Sequence, residues 1–254
     1  MFDNPDPGAR PRAVRPRDAA TLILIRRATA RTEVLMGRRS AAHRFMPGKY
    51  VFPGGRLDAA DLRIAHDSDL RPEVLARVAL HGGETRARGL ARAAIRETFE
   101  EAGLVLGRPA GRRLASRAGA WNQFLSLGVE PDLSALTYVA RAITPPYRDR
   151  RFDTRFFIAE ADALAEPPGH ARAESGELLE LAWFALDDAR GLDLPSITRR
   201  VLDQIETHAE DPHADHPVPS VNATSARKQA VTTARSAVAP RFAARSCATR
   251  TDSS

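Results

Sequence analysis

Two densely apolar runs open the patterned part of the chain: Thr21 to Arg27 reads TLILIRR, and Glu33 to Gly37 reads EVLMG. Runs of that length, rich in Leu, Ile and Val and joined by a short polar stretch, predict two strands. Tyr50-Val51-Phe52 sits between Pro47-Gly48 and Pro53-Gly54-Gly55, which predicts a short strand ending in a glycine turn. Leu136 to Ile143, Arg155 to Glu160 and Glu180 to Phe184 predict further strands. Elsewhere the apolar spacing changes to that of helices. A strong one is expected from about Gly89 to Ala102, stopped by Gly103 as its C-cap. A short helix is expected near Pro72 to Leu80 and a closing one from Pro195 to Ile205, whereas the remainder of 57–88 is polar and irregular.

Strands and helices that alternate in this way predict an α/β (α+β) fold in one domain. Residues 1–17, rich in Pro, Arg, Asp and Gly, carry no periodicity and read as a disordered N-terminus. The domain is expected over 18–207, and 208–254 as a disordered basic tail.

Composition changes this picture little. The 254 residues are 43% hydrophobic and 28% charged, values ordinary for a globular protein. No apolar run reaches membrane-spanning length, and no apolar segment follows the N-terminal arginines, so neither a membrane partner nor a secretory leader is expected. Cytoplasmic localisation is the default. The single cysteine, Cys247, excludes an internal disulfide framework and a thiolate zinc site. Charge matters only once it is located. Pro217 to Ser254 holds six basic residues and the lone acid Asp252, and so carries +5 of the total +6. The domain itself is close to neutral, and nucleic acid is not an expected partner.

The chemistry is concentrated in the predicted helix. At 3.6 residues per turn, Glu97, Glu100 and Glu101 share one face, while Ile95, Phe99 and Ala102 fall opposite and can pack on a sheet. Taken alone, such acids read first as a solvated helix face, the commonest fate of such charges. Brought together, they repel, and a hard divalent cation with oxygen ligands turns that repulsion into affinity. Mg2+, or Mn2+ in its place, is the cation that suits a few carboxylates plus phosphate and water.

Arg96-Glu97-x-x-Glu100-Glu101-x-Gly103-Leu104 resembles the second half of the Nudix box, and Phe52-Pro53-Gly54-Gly55 resembles its opening. That family consists of hydrolases acting on nucleoside diphosphates linked to another moiety. The resemblance covers about 18–205 and implies an α/β/α sandwich with a mixed β-sheet. It implies metal ligation by Glu97, Glu100 and Glu101, with Glu100, Glu101 and Arg96 in the catalytic group. Two departures stand out. Gly55 precedes Arg96 by 41 residues, far more than in the family, which implies an insertion at about 57–88. Arg88 occupies the place of an outer glutamate, leaving Asp58 or Glu84 as substitutes.

Arg39-Ser40-x3-Arg44-x3-Gly48-x3-Phe52-Pro53-Gly54-Gly55 is similar to a motif of the peroxisomal-type coenzyme A diphosphatase branch and its bacterial relatives. It implies a nucleotide-type substrate, coenzyme A or acyl-coenzyme A, contacted by Arg39, Ser40, Arg44, Gly48, Phe52, Gly54 and Gly55. Arg38, Arg39, Arg44 and Lys49 suit phosphate, since guanidinium groups bind it by forked hydrogen bonds. ADP-ribose, dinucleotides and nucleoside triphosphates remain alternatives, as does a non-catalytic nucleotide-binding module. Glu174, Glu177 and Glu180 are unranked candidates for a general base. The cluster His208, His213, Asp215 and His216 is set aside as a metal site because no structure is expected there. Trp121, Phe124 and Tyr138 are expected in the core, and a homodimer is compatible with the sequence.

Overall fold

Leu22, Ile23, Leu24 and Ile25 are all fully buried. Successive side chains of a strand point to opposite faces, so an apolar run without a polar member belongs to a strand covered on both sides. The computed structural model describes residues 14–28, 31–41, 47–166, 178–210 and 218–222. Their elements run β1 (Arg17–Ala28), β2 (Arg31–Arg39), β3 (Tyr50–Val51), β4 (Gly54–Arg56), α1 (Pro72–Ala79), α2 (Glu84–Ala102), β5 (Val105–Pro109) and α3 (Gly119–Ser126). They continue with β6 (Val129–Pro131), β7 (Thr137–Ile143), β8 (Phe152–Glu160), β9 (Leu164–Ala165), β10 (Leu178–Ala185), α4 (Leu186–Gly191), α5 (Ser196–Glu210) and β11 (Ser220–Asn222).

The main sheet is mixed, in the order β10-β2-β1-β8-β7-β11, with β3 beside β2 and β4 beside β1. β1 and β8 are parallel, whereas β2 and β4 each run antiparallel to β1. Helix α2 covers one face: Leu90, Ala94, Ile95 and Phe99 pack with Leu22, Leu24, Leu35 and Phe157. Helix α5 covers the other, where Val201, Leu202 and Ile205 meet Ile23, Ile25, Met36 and Ile158. The expected α/β/α sandwich is therefore present. Gly103 closes α2 in the left-handed conformation, at φ 61°, as a C-cap glycine does.

The structure differs from the pattern in three places. Helix α2 begins at Glu84, five residues before the predicted Gly89, because its first turn carries polar residues that bond to the segment ahead of it. That segment, expected as an irregular excursion, is docked: Ile64, Leu70, Val74 and Val78 are buried in the α2-side core. Nor is everything from 208 onward without structure. α5 extends to Glu210, and Ser220–Asn222 pairs in parallel with Arg141–Ile143 of β7. Among the described residues no helix is long and apolar enough to cross a membrane.

Candidate active site at the glycine turn

Strand β4 is pressed between β1 and α2, which is why it opens with two glycines. Gly54 lies opposite Thr21, and Gly55 opposite Ala20. A Cβ on Gly54 would stand 2.6 Å from the Ala20 carbonyl oxygen, and one on Gly55 would stand 2.4 Å from the Glu97 carboxyl carbon. A side chain on Gly54 has no room against that backbone, and one on Gly55 would have to push the Glu97 carboxyl aside. From the other side, the Gly54 N–H donates to Glu101 Oε2 at 2.9 Å.

Arg96 ties the remaining groups together. Its Nη1 donates to Glu97 Oε1 at 2.9 Å and to Glu100 Oε1 at 3.0 Å. Its Nε and Nη2 grip the two Asp61 oxygens at 2.9 and 3.0 Å, and Nη2 also reaches the Arg56 carbonyl at 2.9 Å. A guanidinium has five N–H donors, and all five are used. Burial pulls the Arg96 pKa down, but the bonds to Asp61 and the charge of Glu97 more than offset it. The group is held above its ordinary value, so it stays charged.

Asp61 is the acid that sequence reasoning missed. It is completely buried, and besides Arg96 it accepts from Trp121 Nε1 and from the Asp58 N–H, both at 2.8 Å. Because Arg96 also neutralises Asp61, it offsets only part of the charge of Glu97 and Glu100. Glu97 registers this directly. Burial pushes its pKa up to about 7, and Glu100 adds to the rise, against the opposing pull of Arg96.

The substitutes considered for the outer glutamate lie elsewhere. Asp58 is exposed, and the Glu84 carboxylate is held by Arg88 at 2.9 Å. Arg88 itself forks onto Asp69, with bonds of 2.8–3.0 Å. Where the family has an acid, this chain thus has a clamp between α2 and the docked segment.

The residues of the coenzyme A-like motif scatter over both faces of the sheet. Leu35 belongs to the α2-side core, and Val34 and Met36 to the α5 side. By strand alternation, Arg39 shares the face of α2 and Arg38 the opposite one. Arg38 is paired with Glu180, which also accepts from Tyr50 Oη at 3.0 Å. Those bonds hold the Glu180 pKa below the usual carboxylate value, a poor setting for a general base. Glu180 sits at φ 53° beside a register shift in β10, and the bulge turns its carboxylate to this side. Lys49 pairs with Asp193. Phe52 is buried in the α5-side core, a packing position; Ser40 is half-buried, and Gly48 turns at φ 70°. Arg44, Glu174, Glu177, His213, Asp215 and His216 lie outside the described residues, and His208 is buried on α5. Trp121, Phe124 and Tyr138 are core residues, as expected.

The donor set suits a hard divalent cation, since it consists of carboxylate oxygens. Arg96 holds Glu97 and Glu100 against one nitrogen, and Gly55 leaves space over the Glu97 carboxyl that a Cβ would fill. Among the described residues no group of three or more Asp, Glu, His or Cys side chains is already gathered to hold a metal ion. That is compatible with a magnesium-type ion, which takes one or two carboxylates and completes its shell with phosphate and water. The residues fit such an ion.

The chain is similar to known proteins over most of its described residues. The NUDIX domain model matches residues 15–205. Acyl-coenzyme A diphosphatase NUDT19 of Gallus gallus is 28% identical, over 68% of this chain and 62% of its own length. A putative nudix hydrolase 7 of Caenorhabditis elegans is also 28% identical, over 58% of this chain and 45% of its own. The chain therefore spans less than two thirds of these relatives. A crystal structure of a NUDIX hydrolase from Alicyclobacillus acidocaldarius is 30% identical. It superposes with a TM-score of 0.56, over 74% of this chain and 90% of the other.

Proposed function

The chain belongs to the NUDIX family, and from that membership we propose that it hydrolyses the pyrophosphate of coenzyme A or an acyl-coenzyme A. The products are then 3′,5′-ADP and (acyl-)4′-phosphopantetheine. One observation carries the hydrolase reading. Glu97 and Glu100 are drawn to a single nitrogen of a fully satisfied arginine, and Glu101 is fixed to the Gly54 amide.

In this reading Glu97, Glu100 and Glu101 hold Mg2+ or Mn2+. Such an ion would supply neutralisation of the phosphate charge and a more acidic water. Glu100, with 39% of its side chain exposed against 16% for Glu97, is the carboxylate we assign to proton transfer. Arg96 does no chemistry and instead fixes the rotamers of Glu97 and Glu100, a supporting role familiar at metal sites. Gly54 and Gly55 let this backbone lie against β1 and the Glu97 carboxyl. Arg39, on the face of α2, and Ser40 and Arg44 after it bind the substrate's phosphates.

The substrate reading is supported by the Arg39-to-Gly55 motif and by likeness to the chicken acyl-coenzyme A diphosphatase. Purified protein is assayed with Mg2+ against coenzyme A, acetyl-coenzyme A, ADP-ribose, a dinucleotide cofactor and a nucleoside triphosphate. The expected kcat/KM is highest for the coenzyme A compounds. Preference for another substrate removes the narrower claim and leaves the hydrolase, while no turnover of any of them in Mg2+ or Mn2+ removes both.

A further inference from the structure

A second concentration of charge lies on the α2 face of the sheet, toward the other end of the helix. Arg141 of β7 forks onto Asp153 with two bonds of 2.8 Å. Arg155 of β8 bonds the same carboxylate at 2.7 Å and lies 3.7 Å from Asp18. Arg86 of α2 is paired with Asp18 and stands 4.0 Å from Asp153. Two carboxylates thus serve three guanidinium groups, which leaves an uncancelled positive charge.

The donors are also in surplus. Arg155 has a side chain only 1% exposed, yet its Nε and Nη2 have no hydrogen-bond partner, and neither does Arg86 Nε. Buried guanidinium N–H groups without acceptors are costly and uncommon. A crevice of about 220 Å³ opens at Arg141, lined also by Arg77, His81, Tyr138 and Ser220 among others. Burial lowers the His81 pKa, and the charges of Arg141 and Arg155 lower it further; the fields of both arginines therefore reach the crevice. The place is one anion short.

We propose that this crevice between α1, β7 and β11 is a binding site for the phosphate group of a small molecule. Forked guanidinium donors match phosphate oxygens in geometry and in charge. The site is separate from the glutamates: Arg86 and Glu97 are eleven residues apart on one helix, about 16 Å along its axis. Because α1 belongs to the inserted segment and β11 to the chain beyond the closing helix, the pocket is made from the parts that the family motif does not cover. Occupation would offset the surplus positive charge and tie those two additions together.

The test is calorimetric titration of the full chain with inorganic phosphate and, separately, with ribose 5-phosphate. It is run with EDTA, so that no metal at the glutamates recruits either ligand, and at constant ionic strength. The expected result is one saturable site whose affinity falls at least tenfold in Arg77→Gln and in Arg141→Gln, with no change in Arg112→Gln, a charge-matched substitution elsewhere on the surface. Tighter binding of ribose 5-phosphate assigns an organic phosphomonoester; equal binding assigns the free ion. Arg77→Gln, at a half-buried position on α1, covers the case in which Arg141→Gln fails to fold. Absence of saturable binding, or equal loss in all three variants, overturns the proposal.

Discussion

Asp61 and Arg96 meet across 35 residues of chain, with both guanidinium edges used and the Asp61 side chain wholly out of solvent. The pair joins the inserted segment to the helix that carries the glutamates. Breaking a buried ion pair by removing one charge typically costs about 3–5 kcal/mol. Asp61→Asn is therefore expected to lower the unfolding free energy by roughly 3 kcal/mol, read from urea denaturation. It should reduce kcat more than it raises KM, because Arg96 is left free to move Glu97 and Glu100. Trp121, which donates to Asp61, should change its emission. Asp58→Asn, exposed and three residues away, should leave all three readings unchanged. If both substitutions behave alike, Asp61 does not position the site.

Glu100 separates catalysis from stability. It is the most exposed of the three acids and it bonds to Arg96 as an i, i+4 partner. Such pairs contribute little to stability. Glu100→Gln should therefore keep the melting temperature within a degree or two while turnover falls at least roughly 100-fold, as when a group that stabilises transition-state charge is lost. Retained turnover in Mg2+ would remove Glu100 from the mechanism.

The two glycines predict opposite defects. A Cβ on Gly54 meets backbone, the Ala20 oxygen at 2.6 Å and Thr21 Cα at 2.7 Å, and these cannot yield without opening β1 from β4. A Cβ on Gly55 meets only the Glu97 carboxyl, the end of a side chain. Gly54→Ala should chiefly lower the denaturation midpoint. Gly55→Ala should fold nearly as well but lose most activity, since Glu97 is displaced. Comparing midpoint and kcat for both variants tests the assignment.

Much of this was legible because it is local. The glycine turn and the 97, 100, 101 spacing lie in short stretches whose backbone period is given by their residues, and the strand runs around Leu22 and Val34 announce themselves by apolar density. Asp61 carried no such sign. Its burial depends on Arg96 and on Trp121, sixty residues away, and nothing near it in sequence distinguishes it from Asp58. The docking of the inserted segment was hidden for a related reason: Ile64, Leu70, Val74 and Val78 are spread thinly among charges, and the Arg88–Asp69 clamp uses residues that read as surface. Arg38 was different. Strand alternation with Met36 already placed it on the face away from the glutamates, so that signal was present in the chain.

Glu97 gives the pH dependence, and its sign follows from the direction of its shift. Its pKa rises from the ordinary 4.5 to about 7, first through burial and then through Glu100. The unfolded chain thus loses the Glu97 proton at lower pH than the folded one does. Between these values the native state binds more protons, so stability falls as pH rises. Below about 4.5 the contribution is constant, and above about 7 the destabilisation is complete. In Glu97→Gln that titration is absent while an oxygen remains for Arg96. The denaturation midpoint of metal-free wild type, measured in EDTA, should therefore drop relative to Glu97→Gln between pH 5 and pH 7.5. Adding Mg2+ should reverse the trend, since a cation favours the ionised carboxylate, and its binding near pH 6 should release a proton that calorimetry in buffers of different ionisation heat can count. Parallel pH profiles for the two proteins without metal would mean that Glu97 is ionised like an ordinary surface glutamate, and that the site does not hold its negative charge in reserve for a cation.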